Sequence, residues 1–229
     1  MGVRRGGVSL FWRKKRLNVE FNDQIALSTA LEDLSFVVFD TETTGFNIFG
    51  EDRLIEIGAV HVQNLVVTDN SFRTYVDPKR EIPQIIKDLT GIDSAMVANA
   101  PDSFTGVESF FRFTEDLKAT CLVAHCLPFD LSVLKSELQR QDYEVKLPRG
   151  IDTLDLLRTL NRYGAHKDLA DYAKECNTPV FERHRALGDA LTAAHLFCAL
   201  LHQLMERGCR SWGDLLFMAD QHRRQIAMS

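Results

Sequence analysis

The chain has 229 residues, 45% apolar and 26% charged, with 27 lysines and arginines against 32 aspartates and glutamates and a net charge of −5. This is the composition of one globular domain with some peripheral extension, too small for a second catalytic domain, and no apolar run approaches the roughly 18–20 residues of a membrane span. A soluble protein with no membrane partner is expected.

Five cysteines, at 121, 126, 176, 198 and 209, are odd in number and form no CxxC pair. They argue against a disulfide framework or a zinc knuckle and for a reducing, cytoplasmic setting. Charge is uneven: Arg4, Arg5, Arg13, Lys14, Lys15 and Arg16 give the first 16 residues +6 and leave the remainder at −11. An acidic body excludes a passive nucleic-acid coat, which binds through a broad basic face. It does not exclude a nuclease, whose clustered carboxylates gather cations that reverse the local sign. The apolar stretch 8–12 is too short for a signal-peptide core and is interrupted at once by basic residues. Gly6 stands where a myristoylation motif wants Ser or Thr. The basic run is then a solvated flank of the domain or an arm touching nucleic-acid phosphates or a partner, the flank being the simpler expectation.

In chain order, residues 1–34 read as an extension with a short helix over 23–34, 35–205 as the domain, and 206–229 as a tail amphipathic enough to pack on the domain or on a partner. The run 35–40, rich in Val and Phe, predicts a buried strand. Residues 53–62 and 70–76 predict two more, the last ending before Pro78, and their short connections suggest an antiparallel meander. A short helix is expected over 83–89 and a longer one within 101–120, where Phe104, Val107, Phe110, Phe111 and Leu117 share a face. A strand follows over 122–125. Pro128 then opens a helix to 140, with Leu131, Leu134 and Leu138 along one side. Further helices are predicted over 153–160, 167–176 and 185–205. The alternation implies an α/β domain with a mixed sheet and helices on its faces.

Three clusters carry the chemistry: DTETTG at 40–45, HCLPFD at 125–130 and HRALGD at 184–189. Residues two apart on a strand face the same side, so Asp40 and Glu42 project together and can share a cation. The Thr43-Thr44-Gly45 turn leaves N–H groups and hydroxyls where a phosphate or sugar could be held. Asp130 falls in the first turn of its helix, where the positive end of the dipole favours a carboxylate. Asp189 borders the small apolar face Ala186, Ala190, Ala193 and Phe197, an odd place for a solvated acid. His184, just ahead of that helix, can turn an imidazole towards a bound water. Each cluster alone has a structural explanation; their conjunction in order is what points to function.

The set resembles the DEDDh exonuclease superfamily, which includes the proofreading epsilon subunit of bacterial DNA polymerase III, over about residues 35–203. The runs IEIGAV at 55–60, YVDP at 75–78 and LTGI at 89–92 agree as well. The resemblance implies a ribonuclease H-like fold with a five-stranded mixed sheet, and 3′→5′ hydrolysis releasing nucleoside 5′-monophosphates. It implies two Mg²⁺ or Mn²⁺ ions, one held by Asp40, Glu42 and Asp189 and one by Asp40 with Asp130 directly or through water, and His184 as general base. Thr43, Thr44, His125 and Phe129 fall on the substrate side, Phe129 where a terminal base could stack. Single-stranded DNA or frayed 3′ ends is the expected substrate, with RNA, a polymerase partner and a non-catalytic nucleic-acid-binding or scaffold role left open. One position departs: Cys126 stands where the family usually has Asn, losing a carboxamide's hydrogen bonds, and a buried small apolar role is expected for it.

Overall fold

The structure, a computed structural model, describes residues 14–22, 24–164 and 166–226; Arg4, Arg5 and Arg13 of the basic run lie outside the described residues. The first element among the described residues is a two-residue strand, β1 (Lys15–Arg16), followed by the meander β2 (Ser35–Thr43), β3 (Leu54–Gln63) and β4 (Val66–Tyr75). Helices α1 (Gln84–Thr90), α2 (Ser94–Val97) and α3 (Ser103–Asp116) cross to β5 (Cys121–Ala124). Then come α4 (Leu127–Arg140), the short β6 (Tyr143–Glu144), β7 (Arg149–Asp152), α5 (Thr153–Thr159), α6 (Leu169–Glu175), α7 (Ala186–Glu206) and α8 (Trp212–Ile226).

Five strands form one mixed sheet in the order β4-β3-β2-β5-β7. The meander pairs antiparallel, and β2, β5 and β7 run parallel. β2 is therefore central, and its alternation assigns the two cores. Phe36 and Val38 face α7, with Phe197, Leu200 and Leu204 packed among them. Val37 and Phe39 face Val107, Phe110 and Phe111 of α3 and Leu134 of α4. Both faces are covered, which is why β2 and β3 read as almost unbroken apolar runs. Among the described residues no helix is long and apolar enough to cross a membrane.

The structure departs from the sequence reading in several places. β2 continues to Thr43 and β4 starts at Val66, four residues earlier than expected. β7 and α8 were not anticipated. The helix expected over 23–34 is absent among the described residues, where only a 3-10 turn at Leu31–Asp33 forms. The carbonyls of Leu27 and Thr29 instead accept the N–H groups of Gly213 and Trp212 at 2.8 Å each. They satisfy the otherwise unpaired donors of the first turn of α8, and a helix over 23–34 would have consumed them. Leu31 and Leu34 still join the core beside Trp212 and Leu215. Upstream, β1 pairs with β6, and Leu17 is buried behind it.

Candidate active site

The carboxyl ends of β2, β5 and β7 meet along one edge of the sheet, the position where open α/β sheets receive ligands. On β2, Asp40 and Glu42 fall on the α7 side, in register with Gly58 and Glu56 of β3. A Cβ at Gly58 would lie 2.1 Å from the Leu187 backbone nitrogen. The missing side chain is what lets the first turn of α7 settle onto the sheet beside Asp40. From that turn Asp189, buried, reaches the two strand acids, and one carboxylate oxygen from each of Asp40, Glu42 and Asp189 lies within 4.8 Å of the others.

Asp130 enters from the opposite side of the sheet, buried in the first turn of α4. Its Oδ1 accepts both the Thr41 N–H at 3.1 Å and the Thr41 hydroxyl at 2.6 Å. Two acids from the strand are thus joined by one from each helix layer.

Crowding shows in the acid strengths. Burial first, then Asp130, Glu42 and Asp189, drive the Asp40 carboxyl well above its usual range, with Arg183 opposing. Glu42 is pushed up to about 8 by burial and by Asp189, Glu56 and Asp130. Asp130 rises to about 7 through burial, against the hydrogen bonds from Thr41. Asp189 is raised by burial, opposed by Arg183 and by the His184 N–H, which it accepts at 3.0 Å. Like charges this close favour protonation unless a cation joins them. Three hard oxygen donors around one point fit Mg²⁺ or Mn²⁺ and suit a soft metal poorly.

His184 sits half-buried ahead of α7 with φ of 59°, in the left-handed region of the backbone. His125, at the end of β5, bonds the Thr153 hydroxyl through Nδ1 at 2.8 Å, and burial with Arg183 nearby depresses it to about 4. The Thr43 hydroxyl donates to the Gly45 carbonyl at 2.7 Å, and that of Thr44 to Asp52 at 2.9 Å. Both hydroxyls are engaged in shaping the turn. Phe129 lies against the exposed Phe46, ring centroids 5.9 Å apart. Arg53 and Arg140 brace the loop that carries Phe46 by donating to the Gly50 and Asp52 carbonyls.

Cys126 is exposed, not buried as expected, because it caps α4 with a left-handed φ of 73° while its N–H bonds Asp152 at 3.0 Å. Several neighbours were not singled out from sequence: Thr41, Asp152, Glu56 and Arg183, the last of which pairs with Asp189. An acid flanked by Ile55 and Ile57 in an otherwise apolar strand was the available signal for Glu56.

A ribonuclease H-like sheet carrying a carboxylate cluster at the end of its central strand defines a class of phosphodiester-cleaving proteins. A family model described as exonuclease, RNase_T, matches residues 37–197, and the chain belongs to that exonuclease family, with DEDDh members among its structural neighbours. It is 38% identical over 185 residues to a DNA polymerase III PolC-type of Caldanaerobacter subterraneus subsp. tengcongensis, covering 79% of this chain and 12% of that protein. It is 36% identical over 204 residues to a DNA polymerase III subunit epsilon-like protein of Rhodobacter capsulatus, covering 86% of this chain and 28% of that protein. The chain thus spans only 12% and 28% of the length of these two relatives. Exonuclease X in complex with 5′ overhanging duplex DNA superposes with a TM-score of 0.58 at 24% identity, over 73% of this chain and 92% of that one. The nuclease domain of 3′hExo, a DEDDh family member bound to rAMP, superposes with a TM-score of 0.65 at 16% identity, over 77% and 95%.

Proposed function

We propose that the protein is a metal-dependent 3′→5′ exonuclease that hydrolyses single-stranded or frayed 3′ ends of DNA to nucleoside 5′-monophosphates in the cytoplasm. The observation that carries this reading is the trio Asp40, Glu42 and Asp189 gathered within 4.8 Å, with Asp130 entering from the opposite helix layer. Asp40, Glu42 and Asp189 would hold one divalent cation, and Asp40 with Asp130, directly or through water, would hold a second. When bound, the cations supply Lewis acidity for the attacking water and charge neutralisation for the departing 3′-oxygen.

The chain's own groups do the rest. His184 takes the proton of the attacking water, from a loop that Asp189 tethers through its backbone N–H. Phe129 and Phe46 offer ring faces on which a terminal base stacks. His125, held neutral, and the Thr43-Thr44 turn border the substrate strand. Names of relatives that belong to DNA polymerase III favour DNA and a polymerase partner.

Matched 5′-labelled DNA and RNA oligonucleotides, with Mg²⁺, Mn²⁺ or EDTA, test the proposal. The DNA should shorten stepwise from its 3′ end, be slowed by a 3′-phosphate, and stay intact in EDTA. Hydrolysis undiminished by EDTA, or rapid opening of circular single-stranded DNA, refutes the reading. A preference for the RNA substrate would move the assignment to an exoribonuclease.

A further inference from the structure

We propose that Glu56 is a positioning residue, which fixes the backbone turn carrying His184 and Asp189 into the site; this rests on the roles proposed above for those two residues. Glu56 is wholly buried on β3, directly across from Glu42 on one side and Tyr75 on the other. A carboxylate in that place needs partners to offset its lost hydration, and those it has belong to the site's far wall. Oε2 accepts the N–H of Ala186 at 2.9 Å, across 130 residues of sequence. Ala186 is the first residue of α7, one of the positions where a helix has no internal acceptor for its donors and where the dipole favours negative charge.

The Arg185 Nε, buried with no hydrogen-bond partner, lies 3.5 Å from the same oxygen. Oε1 accepts from Arg73 Nε at 2.6 Å. Arg73 and Arg185 both donate to the Tyr75 hydroxyl and lie over its ring. Residues 185 and 186, the two that Glu56 grips, stand between His184 and Asp189 in sequence. A shift there moves the proton acceptor and the metal ligand together. Groups that orient metal ligands from behind typically change metal affinity or activity by about 10–100-fold when removed.

Glu56→Gln keeps an acceptor for the Ala186 N–H but removes the charge facing two guanidiniums; Glu56→Ala removes both. For each variant, kcat and KM on a single-stranded DNA oligonucleotide, Mn²⁺ affinity by calorimetry, thermal unfolding, and amide hydrogen exchange at residues 184–189 are compared with the unmodified protein. The expectation is a fall in kcat and in Mn²⁺ affinity of about tenfold for Gln and about 100-fold for Ala, at unchanged KM. Exchange should accelerate at Ala186 strongly in Glu56→Ala and less in Glu56→Gln, where the weakened grip on Arg185 loosens the turn, while the amides of β2 keep their protection. Wild-type kcat, Mn²⁺ affinity and Ala186 exchange in Glu56→Gln overturn the proposal, as does a loss that merely follows the folded fraction. If Glu56→Ala does not fold, Glu56→Gln decides. If the unmodified protein hydrolyses no oligonucleotide, the proposed function fails, and Mn²⁺ affinity and Ala186 exchange still decide the role of Glu56.

Discussion

Thr41 sets the condition in which Asp130 is available. Both of its hydrogen bonds end on Oδ1 and favour the ionised carboxyl that burial opposes. Thr41→Val keeps the shape and removes the hydroxyl, so the Asp130 pKa should climb by about one unit. The rising limb of the pH–rate profile should then move to higher pH, and an unmoved limb in Mn²⁺-supported hydrolysis would contradict this. Asp40→Asn and Asp189→Ala should each lower hydrolysis by orders of magnitude while leaving the circular dichroism spectrum unchanged. Cys126→Asn should raise stability by about 1 kcal/mol, read as the midpoint of urea unfolding, because Asn tolerates the left-handed backbone that a thiol-bearing residue occupies there. The grouping of Asp40, Glu42 and Asp189 and the placement of Asp130 against β2 were legible in the sequence because each acid sits in a short contiguous cluster. Thr41 and Glu56 lay inside runs that had been singled out, yet nothing in them names a role. That needs the register, which sets Glu42 opposite Glu56, and the fold, which brings Ala186 to it across 130 residues.

At the scale of elements, the junction of β3 and α7 is a tight seam beside the site. Gly58→Ala would drive a Cβ into the backbone of α7, which has no side chain there to swing aside. A cost of about 3 kcal/mol, with the remaining folded protein inactive in Mn²⁺, is the expected outcome by thermal unfolding and kinetics. Near-normal hydrolysis would show that the seam is looser than it is drawn. The apolar strands β2 and β3 and the amphipathic helices α3, α4 and α7 were readable because period and length agreed, whereas α8 was read only as an amphipathic tail. β7 was not readable, since Arg149-Gly-Ile-Asp152 holds a single aliphatic residue and owes its place to pairing with β5. The misread segment 23–34 has the same cause in reverse. Its apolar spacing suited a helix, but its carbonyls were claimed by α8, an element almost 200 residues away.

For the whole molecule, the acid cluster ties stability to pH. Glu42 binds its proton up to about pH 8 when folded, against an ordinary value of 4.5, so the folded state holds more protons than the unfolded one between those values. Stability from this source is complete below 4.5 and declines as pH rises towards 8. His125, lowered from 6.5 to about 4, works in the opposite sense: its contribution is present above 6.5 and is lost as pH falls towards 4. The two oppose each other below 6.5, so the metal-free protein should lose melting temperature most clearly between about pH 6.5 and 8. Saturating Mn²⁺ should remove that decline and add about 2.7 kcal/mol at 100 times its dissociation constant. A melting temperature in EDTA that climbs across this window would oppose the cluster as described. The entry of Asp130 and Asp189 from opposite sides of the sheet has one more consequence, for the chain as it is made. Asp40 and Glu42 leave the ribosome before Asp189, which follows roughly 150 residues later, on the order of ten seconds at ordinary synthesis rates. Until then the carboxylate cluster lacks the member that α7 brings, so the hydrolysis proposed above is expected only after that last layer has docked.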